Sequence, residues 1–173
     1  MSSDEWKGRF REIYDAGVER YRAGRREPDV MFEPDEAAFL KTLGCTTQEL
    51  FDFVEDGIDG SPTYDEVEEV TAVRRDYFLG QMNGEWTGHE IDMDALPAKS
   101  EAVEGIVWLP RIIPKAKAKL RGEMPPDLMY GCGGDRPFLK SVNVGLAEFL
   151  RVVRDAGSDR EVIDFVKQRA ASG

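Results

Sequence analysis

Residues 29–57 read DVMFEPDEAAFLKTLGCTTQELFDFVEDG, and residues 127–157 read DLMYGCGGDRPFLKSVNVGLAEFLRVVRDAG. Laid side by side they are two versions of one segment. Asp29, Met31, Phe39, Leu40, Lys41, Glu49, Val54 and Asp56 meet Asp127, Met129, Phe138, Leu139, Lys140, Glu148, Val153 and Asp155, with one extra residue in the second glycine loop. The punctuation agrees as well. Gly44 and Asn143 fall at equivalent places, and these residue types best tolerate the left-handed conformation that ends a helix. A new helix then starts in both copies. Thr46 to Glu49 form a capping box in the first; Gly145 at the cap and Glu148 at the third helical position serve in the second. Thr63–Glu66 and Ser158–Glu161 repeat the box before the last helix of each copy.

The correspondence runs upstream. Phe10, Ile13, Tyr14, Gly17 and Tyr21 map onto Leu109, Ile112, Ile113, Ala116 and Leu120, and both sets follow helical spacing. Each copy therefore reads as four helices: roughly 5–23, 36–43, 47–56 and 64–80, then 109–121, 136–142, 146–156 and 159–170. The expected fold is all-α, two related four-helix halves packed with pseudo-two-fold symmetry, like a fused dimer. Residues 1–80 form the first repeat, 81–107 a linker with a short ordered piece around Trp86, and 108–173 the second repeat. Little β structure is expected; DVMF (29–32) and DLMY (127–130) are the segments that read as extended. Pro110 suits a first helical position, whereas Pro114 lacks the N–H that would bond the Pro110 carbonyl. Either a kink at Pro114 or a helix starting there follows.

Composition narrows the function classes. The formal charge is −11, from 34 acidic and 23 basic side chains, which argues against nonspecific nucleic-acid or anionic-membrane binding. No apolar run approaches the ~20 residues of a spanning helix. The start MSSDEWKGRF lacks the apolar core of a signal peptide, and two cysteines, Cys45 and Cys132, make no disulfide framework, so a reducing cytoplasm is expected. His89 is the single histidine, which excludes the usual multi-histidine metal sites. The acidic runs DEVEE (65–69) and EIDMD (90–94) invite a metal, but capping explains the first and an EF-hand loop does not fit the second. No metal and no cofactor are expected. GCGG (131–134) lacks the Lys-Ser/Thr of a P-loop.

Two segments carry the chemistry that remains. Arg111, Lys115 and Lys119 recur every fourth residue on one helix face, with Lys117 and Arg121 beside them and no acid until Glu123. They read either as an anion site or as a solvated face whose cations pair elsewhere. The first-copy equivalents of Arg111 and Lys115 are Glu12 and Ala16, so any such site belongs to the second copy. The other segment is YGCGGD (130–135). Glycines at 131, 133 and 134 let backbone approach a ligand, Asp135 is placed to cap the next helix, and Cys132 is a nucleophile candidate. The alternative is a flexible helix entry with a half-buried cysteine. The first copy reaches the same helix through FEPDE (32–36) with neither glycine nor cysteine. Tyr130 reads as a packing ring or as a hydroxyl near Arg111 and Lys115, and His89 as an exposed linker residue.

From Val107 onward the chain resembles an uncharacterised bacterial family, the domain of unknown function 5069. The resemblance rests on Leu109, Pro110, Arg111, Lys115, Lys117, Gly122, Tyr130, Cys132 and Asp135 and covers about residues 105–170. Pro114 and Gly133-Gly134 depart from the pattern. The resemblance implies no known activity. Two functions stay open: a noncatalytic helical interaction module that meets a protein partner, or a site for an anionic small molecule. The second would use Arg111, Lys115, Tyr130, Gly131, Cys132 and Asp135, with Cys132 as the nucleophile if it is an enzyme.

Overall fold

A computed structural model describes residues 3–173. Its helices are α1 (Glu5–Arg22), α2 (Pro28–Met31), α3 (Pro34–Thr42), α4 (Thr47–Gly57), α5 (Tyr64–Gly80), α6 (Leu109–Arg121), α7 (Asp135–Ser141), α8 (Leu146–Asp155) and α9 (Asp159–Ser172). The only strands among the described residues are β1 (Ala102–Val103) and β2 (Ile106–Val107), an antiparallel hairpin. The protein is therefore helical, as the periodicity requires.

The helix boundaries follow local chemistry. Thr46 Oγ1 accepts from the Glu49 N–H at 3.1 Å while Glu49 returns a carboxylate to the Thr46 N–H at 2.9 Å. Thr63 and Glu66 do the same. Gly44 and Asn143 take φ of +74° and +59°. The two helix exits are closed by the same bonds. Cys45 N–H donates to the Leu40 carbonyl and Val144 N–H to that of Leu139, both at 3.0 Å. Gly44 N–H reaches Lys41 and Asn143 N–H reaches Lys140, both at 3.1 Å.

One continuous apolar cluster runs through both halves, from Phe10, Ile13, Leu50 and Val54 to Leu109, Ile112, Phe149 and Val162. Burial of this size is the main force holding helices of modest propensity together. Helix α1 packs on α4, as α6 packs on α8. Helix α5 then crosses from the first half onto α6 and α8. A two-fold exchange would set α9 on α1 and α4 in the same manner. The main contacts of α9 are with α6 and α8 instead, so the last helices depart from the expected symmetry.

Arg74 shows what α5 does there. Its side chain is fully buried, and its Nε donates to the Gly44 carbonyl at 2.8 Å. Its Nη1 donates to the Leu120 carbonyl at 2.5 Å. One guanidinium thus closes the C-terminal ends of α3 and α6, where the helix dipoles favour a cation. It lies over the Phe78 and Trp86 rings at 4.8 and 5.2 Å. Burial lowers its pKa from the ordinary value.

Four local expectations are corrected. DVMF is not extended: Pro28 opens the short helix α2, so the described residues of the first half form five helices. DLMY is a loop, and the β structure sits inside the supposed linker. Glu104 and Gly105 both have positive φ, +49° and +82°, which is the backbone of a two-residue hairpin turn. That linker is also fastened down. Ile91 N–H donates to the Glu123 carbonyl, the Trp86 ring meets that of Phe78 at a tilt with centroids 5.3 Å apart, and Glu104 pairs with Lys167 and Arg160 of α9. Finally, of the two readings of Pro114 the helix start is corrected: α6 begins at Leu109 and continues through Pro114.

Candidate functional site

Lys115 lies on the inner face of α6 and is 2% exposed. Its Nζ donates to Asp135 Oδ2 at 2.8 Å and to Cys132 Sγ at 3.2 Å. Asp135 is fully buried at the first position of α7. Its carboxylate does not cap that helix; it turns back over the glycine loop. Oδ2 accepts the Gly131 N–H at 2.9 Å and the Cys132 N–H at 3.4 Å, and Oδ1 accepts Trp108 Nε1–H at 2.8 Å. A buried charge is tolerated only when it is paired and its lone pairs are met, and here both conditions hold. Cys132 is half-buried, so the cluster is less enclosed on its side than at Lys115 and Asp135.

Trp108 is the residue that sequence reasoning missed. It precedes α6 with φ of +80°, a left-handed conformation that costs a bulky side chain about 1–3 kcal/mol. The strain places its indole across Gly134, where a Cβ would lie 2.4 Å from the ring. Glycine at 134 is thus required by the tryptophan rather than by a turn. Gly131 does need its freedom, with φ of +83°. Its carbonyl accepts Arg136 Nη1 at 2.7 Å, and the same nitrogen reaches Asp56 of α4 at 2.8 Å. The loop is therefore anchored from both halves.

The remaining candidates are used elsewhere. Tyr130 does not present its hydroxyl to the cations: it is buried and donates to the Leu146 carbonyl at 2.7 Å. Burial pushes that phenol well above its usual pKa. Arg111 sends Nη1 to the Pro97 carbonyl at 3.0 Å, and its buried Nε has no hydrogen-bond partner among the described residues. The basic helix is not a free cationic face either. Lys117 pairs with Asp159 at 2.5 Å, Lys119 with Glu49 at 3.2 Å and Arg121 with Glu123 at 3.3 Å. His89 is exposed in the segment before α6. Cys45 is buried, which pushes its thiol up to about 12.

The repeat supplies an internal comparison that its alignment already contained. Asp135 stands where the first copy has Glu36, and Cys132 where it has Glu33. Glu36 is also a buried carboxylate held by a cation of the preceding long helix, Arg20 at 2.6 Å. It also accepts the Glu33 N–H at 2.9 Å, as Asp135 accepts the N–H of Cys132. The carboxylate–cation latch is therefore common architecture. In the first copy the cation's further acceptor is the Met31 carbonyl, at 2.9 Å. In the second it is a thiol.

Beside the loop, a groove of about 900 Å³ opens between α7, α8 and the segment around Ser61. Gly133, Arg136, Lys140 and Arg169 stand in its walls with Glu66 and Glu148.

Residues 94–172 match the family model described as Domain of unknown function (DUF5069). The match takes in the hairpin and α6 to α9, and with them Trp108, Lys115, Cys132 and Asp135. It begins before the hairpin, earlier than the sequence resemblance suggested. The first copy lies outside it. No curated protein and no solved structure matches the chain. Among the described residues no helix is long and apolar enough to cross a membrane.

Proposed function

We propose that the domain spanning 94–172 is a small-molecule site centred on the Cys132 thiol, with Lys115 and Asp135 behind it and the glycine loop as its rim. One observation carries this reading: the buried Lys115 ammonium spends a hydrogen bond on sulfur. In the first copy the cation of the equivalent pair, Arg20, gives its further hydrogen bond to the Met31 carbonyl instead. The ammonium donor at 3.2 Å sets this thiol apart from the buried Cys45, and a thiol so held is a candidate nucleophile. The electrophile would enter on the side of half-buried Cys132, and an anionic group on it would find Arg136 and Lys140 in the adjoining groove. Arg111 and Tyr130 have no direct part in this reading.

The test is the alkylation rate of each cysteine with iodoacetamide at neutral pH, read by mass spectrometry. The variant Lys115→Met/Asp135→Asn removes the donor without leaving a buried charge unpaired. A charge-assisted hydrogen bond contributes about 1.5–3 kcal/mol, so Cys132 should slow roughly ten-fold or more in a folded variant. Equal rates would remove the thiol site and leave the interaction module. That second reading draws on the internal pairing of Lys117, Lys119 and Arg121.

A further inference from the structure

The Cys132–Lys115 contact joins a half-buried cysteine to an amine that is held in place. We infer that the two residues form a covalent sulfur–nitrogen link when the thiol is oxidised by a peroxide, making the site a reversible redox latch. The inference rests on the reading of Cys132 as a reactive centre.

The geometry supplies each requirement. Cys132 is half-buried rather than buried, which leaves an oxidant a way to approach it. Nζ is 3.2 Å from Sγ and cannot swing away, because the carboxylate of Asp135 holds it at 2.8 Å inside the protein. The other cysteine, Cys45, is buried. A sulfenic acid condenses with a neighbouring thiol or nitrogen, and the nitrogen at this site is Nζ.

In the first step the sulfur attacks one peroxide oxygen, the O–O bond breaks, and water leaves. The thiol becomes a sulfenic acid while the peroxide is reduced by two electrons. In the second step the Lys115 ammonium passes one proton to the Asp135 carboxylate, and Nζ attacks Sγ. The S–O bond breaks, and the hydroxide takes a second nitrogen proton to leave as water. The S–N bond remains, and the protein has lost two hydrogens. A low-molecular-weight thiol restores the pair: its sulfur attacks Sγ and frees the lysine amine as a mixed disulfide, and a second thiol reduces that to the free cysteine. The link removes the cation that Asp135 pairs with, so oxidation reports directly on the carboxylate that holds the loop.

The experiment treats the whole chain briefly with hydrogen peroxide and measures intact mass without reductant. The wild type should lose about 2 Da and yield a peptide pair joining Lys115 to Cys132, whereas Lys115→Gln should gain about 16 Da. A cyclic 1,3-dione, which captures sulfenic acids, should label the folded Lys115→Gln variant and largely spare the wild type. Peptide mapping of the wild type decides the matter even where the variant fails to fold. A wild type that gains oxygen and takes the dione at Cys132 overturns the latch while leaving a reactive thiol. A Cys132 untouched by peroxide overturns both the latch and the thiol reading.

Discussion

Replacing Asp135 by asparagine tests the centre of the site most severely. The carboxylate is fully buried and accepts Lys115 Nζ and Trp108 Nε1, each at 2.8 Å, and the Gly131 N–H at 2.9 Å. Asparagine keeps the shape and one acceptor oxygen. Its amide group then faces a donor, and Lys115 is left as an uncompensated charge at 2% exposure. Breaking one side of a buried pair costs about 3–5 kcal/mol, and a donor left unmet costs about 1–3 more. A total near 4 kcal/mol or above is a large share of the roughly 5–15 kcal/mol that holds a domain together. For a chain of this size it lowers the melting temperature by roughly 10 °C. Urea denaturation followed by circular dichroism reads the change. Lys115→Met/Asp135→Asn should recover about 2 kcal/mol or more relative to the additive expectation, because no charge is then stranded. A single variant that loses under about 1 kcal/mol, or a double variant that is merely additive, would refute the claim of a coupled buried pair.

Other consequences are as definite. Arg74→Met should destabilise by about 2–4 kcal/mol in the same assay, since it leaves the Gly44 and Leu120 carbonyls unmet. Gly134→Ala should displace the Trp108 indole, shift its fluorescence and cost about 1–3 kcal/mol, because the new Cβ falls 2.4 Å from the ring. Asp52 sets a pH dependence: burial, offset by the Gln48 hydrogen bond, raises its pKa from 3.8 to about 6. The folded state therefore holds that proton more tightly, so stability from this group is complete below pH 3.8 and lost as pH rises through 6. Asp52→Asn should accordingly stabilise the protein at pH 7, on the order of 1 kcal/mol after solvent screening, with little effect at pH 4.

What was legible in the sequence is what local chemistry controls. Thr46, Thr63, Glu49 and Glu66 announce helix starts because a cap acts within three residues. Gly44 and Asn143 announce ends because few other residues accept positive φ. The missed features depend on long-range closure. Lys115 and Asp135 are 20 residues apart, and only the packed α6 and α7 bring them together. Arg74 sits on a helix rich in charge, and nothing local says that its guanidinium points inward. The Glu104–Gly105 turn escaped notice because glutamate is not a usual residue at positive φ. Trp108 went unremarked because its partner Asp135 is 27 residues further along the chain. The equivalence of Glu36 and Asp135 was the available signal, and it marks a buried carboxylate in each copy.

The contact between Lys115 and Cys132 can be read directly in solution from the nitrogen-15 signals of lysine ammonium groups. Protection from solvent slows proton exchange, so the buried Lys115 and Lys119 should give sharp signals, with Lys115 assigned by its loss in Lys115→Arg. That signal should move in Cys132→Ser while Lys119, paired with Glu49, stays in place. A Lys115 signal that is absent through rapid exchange, or indifferent to Cys132→Ser, would contradict the thiol-centred site.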